Sequence, residues 1–227
     1  MNRVKQVVKL HSRSAKLWVG VPWAILALNF LISFVIALSL SDEESIHTGS
    51  LSSIFIYTFV AGTLTLKESF PFAIGFSIRR RDYFFGTILT VLYVNAASAI
   101  TLTVLSAIEE ATNGWNANLH LFKVEFLSDV SFLGMLGINF SLLIHCFFLG
   151  FVISSLHRRW GGLAMYLFFG ASLVLGTILT YVMTHFNLWV EFGHWIAHYY
   201  LDFFWWMIPV SAIYLFIAYG VLRRAAV

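Results

Sequence analysis

The feature that most constrains this chain is a series of six long apolar stretches separated by short charged loops. The stretches cover residues 18–40, 49–66, 83–108, 131–156, 163–185 and 203–222. Each is close to the ~20 residues that a helix needs to cross a hydrocarbon core of ~30 Å. Backbone polar groups in lipid must pair internally, and no alternating strand pattern is present, so the stretches predict helices rather than a barrel. The sequence therefore predicts an all-α, polytopic membrane protein with six transmembrane helices.

The charged residues are sorted by sign between alternate loops. Apart from Lys67 and Lys123, all of the 14 Lys and Arg residues precede the first stretch, lie in every second loop after it, or close the chain. Apart from Glu68 and Asp82, all of the 11 acidic residues lie in the intervening loops. Because short loops rich in Lys and Arg stay in the cytoplasm, both termini of this multi-pass protein are expected on the cytoplasmic side of the cell membrane.

Composition indicates a single transmembrane domain over residues 1–227 and excludes other classes of protein. Hydrophobic residues make up 59% of the chain and charged residues 11%, which is outside the range of soluble domains. The formal net charge of +3 belongs to loops that face anionic lipid, so no nucleic-acid partner is expected. The single Cys146 excludes a disulfide framework within the chain, and we expect no cofactor.

Residues 1–17 have the pattern of a basic amphipathic helix. The two faces consist of Lys5, Lys9, Arg13 and Lys16 on one side and Val4, Val7, Val8 and Ala15 on another. This pattern predicts a short helix that lies on the inner leaflet. The alternative is a disordered basic tail that only sets the orientation of the chain.

The second stretch ends in charged residues, Lys67 and Glu68, that precede another apolar piece, residues 70–78. One continuous helix would place both charges deep in lipid, where a lysine costs about 2.5 to 3.5 kcal/mol. Pro71 is well placed as the first residue of a new helix. We therefore predict a break after the second stretch and a separate short helix that a protein partner covers. The alternative is that this short helix lies in the lipid interface.

The same region resembles a known family. Gly75-Phe76-Ser77-Ile78-Arg79-Arg80, followed by Phe84-Phe85-Gly86, is similar to the loop between the second and third helices of small ABC permeases of the second exporter-type class of Gram-positive bacteria. In that family this loop forms a coupling helix that docks on an ATPase subunit. The resemblance assigns coupling to Glu68, Phe70, Pro71, Phe72, Ile74, Gly75, Phe76, Arg79, Arg80 and Arg81.

The resemblance implies a permease subunit of an ATP-driven exporter of a hydrophobic or amphipathic compound. Its partners would be a second permease copy, in a homodimer or heterodimer, and two cytoplasmic ATPase subunits. The sequence supports a separate ATPase, because it contains no Gly-x4-Gly-Lys-Ser/Thr phosphate-binding loop, and we expect this chain not to be an enzyme. The alternatives are the substrate-capturing subunit of a vitamin-type importer, or a sensor or scaffold that transports nothing.

Several polar residues lie near the predicted ends of the apolar stretches and are candidates for chemistry at the membrane surface. His194 and His198 lie four residues apart, with Glu191 nearby, which is too small a ligand set to predict a metal site. The surrounding segment, residues 188–201, is rich in Trp and Tyr and predicts an interfacial helix. The pair Glu109 and Glu110 is interpreted as a solvated helix end.

Other polar residues lie inside the apolar stretches. His145 and the three asparagines Asn29, Asn95 and Asn139 are interpreted as partners in hydrogen bonds between helices, with a role of His145 in transport left open. The fifth stretch carries a stripe of small residues, Ser172, Gly176 and Thr180. Such a stripe lets a second helix approach closely, so it is a candidate contact between two permease copies.

Overall fold

The computed structural model describes residues 3–13, 16–40, 46–123, 127 and 130–223. The helices of this part are α1 Arg3–Arg13, α2 Val21–Ser39, α3 Ser52–Gly75, α4 Arg80–Ala111, α5 Phe132–His185 and α6 Trp189–Arg223. One turn of π-helix, Lys16–Gly20, leads into α2, and two short parallel strands, β1 Ile46–His47 and β2 Leu119–His120, pair with each other. The acidic positions 42–44, 125 and 129, together with Ala15 and Arg224, lie outside the described residues.

Five helical segments of the described chain are long and apolar enough to cross a membrane. They are Trp18–Ser39, Arg80–Ala111, Phe132–Leu163, Met165–His185 and Trp189–Arg223. Each overlaps one predicted stretch, so the prediction of an all-α polytopic membrane protein is confirmed. The remaining predicted stretch forms α3, whose 24 residues include several Ser and Thr residues together with Lys67 and Glu68 and are therefore less apolar.

The predicted break after Lys67 and Glu68 is wrong, since α3 continues without interruption to Gly75 and contains Pro71. Lys67 and Glu68 are exposed, whereas the neighbouring Leu66 and Phe70 are buried against the bundle. A continuous helix therefore keeps both charges on its outer face and still buries its apolar face. The predicted short helix, residues 70–78, is not a separate element; its first part is the last turns of α3.

Two glycines bring the backbones of α3 and α5 into direct contact. A side chain at Gly62 would collide with the carbonyl oxygen of Phe147, and one at Gly150 would collide with the carbonyl oxygen of Phe59. Close backbone approach at small residues is the usual way in which helices pack in lipid, where no hydrophobic force drives them together. Among the described helices α3 is thus packed tightly on the first half of α5.

α5 bends sharply at Gly161, where φ is 70° and ψ is −162°. The helix α6 runs parallel to the first half of α5, since Gly137 contacts the Trp205 ring and the ring centroids of His145 and Tyr214 lie 5.4 Å apart. The segment Met165–His185 between them must therefore carry the chain back to the start of α6. Its side chains are almost all exposed, so it borders the bundle as a peripheral helix.

The bundle has two distinct ends. We call the end with α1, the α3–α4 connection, Gly161 and the end of α6 the basic end, and the end with β1 and β2 the acidic end. At the acidic end the predicted interfacial helix, residues 188–201, forms the first part of α6. A kink at the non-helical Tyr199, with φ of −114°, separates it from the rest of that helix. Its aromatic residues Trp189 and Trp195 are exposed, as an interfacial segment requires.

Candidate functional site

The candidate site is the connection between α3 and α4 at the basic end, which we call the elbow, residues 67–85. Its tight turn is a helix C-terminal motif in which the amides of Ser77 and Ile78 donate to the carbonyl oxygens of Ile74 and Ala73, at 2.9 and 3.1 Å. Ser77 has a φ of 56°, a left-handed conformation that usually favours glycine. The turn thus ends α3 at Gly75 and lets α4 begin at Arg80.

The inner face of the elbow is fixed in the core. Phe70, at 0% exposure, packs edge-on against Tyr83 with ring centroids 5.1 Å apart. The Tyr83 hydroxyl lies 2.7 Å from the Ser69 hydroxyl, and the Arg158 guanidinium carbon lies 4.7 Å from the centre of the Phe70 ring. Phe70 is therefore not part of the docking surface that the sequence predicted, because its ring belongs to the interior.

Arg80 connects the elbow to the last turn of α6. Its guanidinium donates to the carbonyl oxygens of Leu222 and Arg223, at 3.4 and 3.1 Å. These carbonyls have no partner within their own helix, and a cation at a helix C-terminus is favourable. Arg80 is therefore a structural contact rather than a free docking cation.

The outer face of the elbow presents two aromatic rings. Phe72 is 53% exposed and Phe76 is 67% exposed, and their ring centroids lie 4.7 Å apart in an edge-on arrangement. A side chain at Gly75 would meet no atom within 4 Å, so the surface at this position is open. The other predicted coupling residues that are exposed are Glu68, Pro71, Arg79 and Arg81, whereas Ile74 is half-buried.

The charge of the outer face is positive. Neither Arg79 nor Arg81 forms an ion pair with an acidic residue in the described part of the chain. The Arg81 guanidinium lies 5.6 Å from the centre of the Phe85 ring. The elbow thus combines exposed aromatic area with two available guanidinium groups, a composition typical of protein interfaces.

The helix α1 packs directly beside the elbow. Val7 is fully buried against Gly86 of α4, where any larger side chain would collide with it. The buried His11 ring nitrogen Nε2 lies 3.0 Å from the Thr87 hydroxyl, and burial lowers the pKa of His11 to about 4. The predicted N-terminal helix is confirmed, but its apolar side packs on protein, while Lys5 and Lys9 are exposed.

The acidic end contains a buried carboxylate that the sequence did not predict. Glu109 is 1% exposed, and its two oxygens accept hydrogen bonds from the backbone amides of Leu121, Phe122 and Lys123 at 2.9 to 3.0 Å and from the indole of Trp115 at 3.2 Å. The interpretation as a solvated helix end is wrong for Glu109. It holds for Glu110, which is exposed and forms an ion pair of 2.6 Å with Lys123.

Two of the polar residues inside the bundle contact neighbouring helices. The Asn139 amide donates to the Thr103 hydroxyl at 3.2 Å and so links α5 to α4, as expected. The His145 ring packs against the Tyr214 ring of α6 with centroids 5.4 Å apart, while its Nδ1 atom is buried without a hydrogen-bond partner among the described residues. The Asn95 amide nitrogen is buried and has no partner among the described residues.

The small-residue stripe of Ser172, Gly176 and Thr180 lies on the peripheral segment and is exposed. A side chain at Gly176 would meet no atom of another described helix within 4 Å. The stripe is therefore available for contact with a helix of another molecule.

No group of three or more potential metal ligands is present among the described residues, and His194 and His198 are both exposed. Comparisons of the chain with family models, with curated proteins and with solved structures return no match. Functional conclusions therefore depend on the residues of the chain itself.

Proposed function

We propose that this protein is the membrane-spanning permease subunit of an ATP-driven transporter of the exporter type. The observation that carries the proposal is the outer face of the elbow, where Phe72 and Phe76 are exposed beside Arg79 and Arg81. The proposed cargo is hydrophobic or amphipathic, and a separate cytoplasmic ATPase subunit, in two copies, binds the elbow.

The attachment of the elbow supports mechanical coupling to the bundle. Phe70 and Tyr83 join it to the core, and Arg80 joins it to the end of α6. A displacement of Phe72 and Phe76 by an ATPase would therefore be transmitted to α3, α4 and α6 together. Rigid-body movement of packed helices is a common basis of switching in transporters.

The proposal includes α3 as a sixth crossing, with both termini in the cytoplasm. The helix α3 begins beside β1 at the acidic end and ends in the elbow at the basic end, and its 24 residues span about 36 Å. With the five apolar segments this gives an even number of crossings, as two cytoplasmic termini require. The exposed stripe around Gly176 is the proposed contact with a second permease copy.

The decisive experiment is recovery of the ATPase with the purified protein. A tagged chain expressed in its native host is expected to retain a partner that contains a phosphate-binding loop and hydrolyses ATP. Phe76→Asp is expected to reduce recovery about tenfold or more, since loss of an interface aromatic typically costs about 2 kcal/mol or more. Gly75→Asp, which fits sterically, should have the same effect without loss of membrane insertion.

The matched control is Trp160→Asp. Trp160 is also an exposed aromatic at the basic end and lies beside the Gly161 bend rather than in the elbow. Equal recovery of the ATPase with Phe76→Asp and Trp160→Asp would contradict the proposed docking surface. A small ligand retained by the purified chain alone would instead favour a substrate-capturing importer subunit, and a partner without a phosphate-binding loop would favour a sensor or scaffold.

A further inference from the structure

A basic cavity lies beside the elbow, between α3 and the bend of α5. It has a volume of about 620 Å³ and is lined by three basic side chains, Lys67, His157 and Arg158, and by hydroxyl groups. None of its lining residues is acidic. The cavity therefore has the charge of a site for an anion.

Arg158 provides a buried donor that lacks an acceptor. Its guanidinium stacks on the Phe70 ring, and its Nε atom is buried with no hydrogen-bond partner in the described chain. A buried donor without a partner destabilises the fold, and it does so more strongly when the group is charged. An anion in the cavity would supply the missing acceptor, and a phosphate suits the planar guanidinium particularly well.

The walls of the cavity are apolar away from the three basic groups. Leu64, Ile153 and Met165 line them, and almost all side chains of the adjoining segment Met165–His185 are exposed. Lys67 and His157 are exposed at the mouth. A ligand that fits must therefore combine an anionic head with hydrocarbon chains lying against the outside of the bundle.

In the proposed arrangement of crossings, the cavity lies at the level of a membrane surface. Arg158 lies over Phe70, which contacts Tyr83, and Tyr83 is one turn from Arg80 at the start of α4. Basic residues directly beside transmembrane helices attract anionic lipid with about 1 kcal/mol per Lys or Arg. Free phosphate would make no use of the apolar walls, so the combination of features favours a lipid.

We infer that the cavity between α3 and the α5 bend binds the phosphate of an anionic glycerophospholipid through Arg158 and Lys67, with the acyl chains against Leu64, Ile153 and Met165. The bound lipid connects α3 to the bend at Gly161 and so stabilises the basic end. This site does not depend on the proposed ATPase partner.

The test uses the full-length chain purified in a neutral detergent and delipidated, with binding measured by native mass spectrometry and by thermal unfolding. Phosphatidylglycerol is expected to bind and to raise the unfolding temperature, whereas phosphatidylcholine and inorganic phosphate are not. Arg158→Gln and the exposed Lys67→Gln should each weaken phosphatidylglycerol binding about fivefold or more, in line with about 1 kcal/mol per charge.

The matched control is Arg159→Gln. Arg159 is the adjacent arginine, but its guanidinium lies over the Trp160 ring at 4.6 Å and does not line the cavity, so binding should be unchanged. Binding of phosphatidylcholine equal to that of phosphatidylglycerol, stabilisation by inorganic phosphate alone, or an equal loss in Arg159→Gln would each overturn the inference. Lys67→Gln keeps the test valid if Arg158→Gln does not fold.

Discussion

Glu109 lies near the end of α4 with four N–H groups directed at its carboxylate. Three of these donors are consecutive backbone amides that follow β2, so the carboxylate takes the place of a strand partner for that segment. Hydrogen bonds to a charged group contribute about 1.5 to 3 kcal/mol each, roughly twice the value for neutral pairs. A single side chain thus organises the connection between α4 and α5.

Replacement of Glu109 is expected to destabilise the acidic end. Glu109→Gln substitutes an uncharged amide, whose NH₂ group also opposes the N–H donors, and we expect a loss of about 2 to 4 kcal/mol, estimated from one or two such hydrogen bonds. The control is Glu110→Gln, which loses only an exposed ion pair worth about 0 to 1 kcal/mol. Thermal unfolding and limited proteolysis of residues 112–123 measure the effect. Equal stability of the two variants would show that the carboxylate is not required.

At the scale of elements, α1 is held on α4 by Val7 against Gly86 and by His11 against Thr87. Burial keeps the His11 imidazole neutral and lowers its pKa to about 4 from 6.5. The docked state therefore binds fewer protons than a detached helix between pH 4 and 6.5. Docking is strongest above pH 6.5 and weakens as the pH falls toward 4.

Acidification is accordingly expected to release α1. A spin label at the exposed position of Lys9→Cys, in a chain in which Cys146→Ser removes the only cysteine, should become more mobile as the pH falls from 7 to 4.5. His11→Asn retains a hydrogen-bonding side chain but does not titrate, so its label mobility should be independent of pH. Unchanged mobility of the His11 protein over this range would refute the mechanism.

The helices of the bundle were predictable from the sequence where a long apolar stretch is sufficient to identify a helix. The five apolar segments follow directly from stretches of about 20 residues without internal charge. The continuity of α3 was not predictable, because Lys67 and Glu68 were expected to break a helix in lipid, and only the packing of Leu66 and Phe70 shows that they face outward. The left-handed conformation of Ser77 was likewise not predictable, since glycine is the more usual residue at such a turn and the nearest glycine, Gly75, lies two positions earlier.

The candidate site was predicted only in part. Phe72 and Phe76 are exposed, as the predicted docking surface requires. The sequence did not distinguish them from Phe70, which lies on the same segment but is buried. The separation depends on where α4 and α5 lie against α3, a long-range property. For the same reason the sequence did not predict the Glu109 contacts, because the residues that bind it lie 6 to 14 positions away in the segment that follows α4.

At the scale of the whole molecule, the proposed arrangement requires α3 to connect opposite sides of the membrane. Labelling of intact cells with an impermeant thiol reagent tests this in the Cys146→Ser background. Gly49→Cys, three residues before α3, has free space around it and should react from outside, whereas Phe76→Cys should react only after permeabilisation. Reaction of both positions from the same side would exclude a sixth crossing.

The bend at Gly161 has a consequence for handling the protein. If its 54 residues were straight, α5 would be about 81 Å long, far more than the ~30 Å that a bilayer accommodates. The thickness of a planar bilayer alone therefore excludes a straight α5, independently of any contact within the chain. A detergent micelle does not impose a hydrocarbon layer of fixed thickness. Reconstitution into lipid discs is therefore the preparation that preserves the bend of α5 at Gly161.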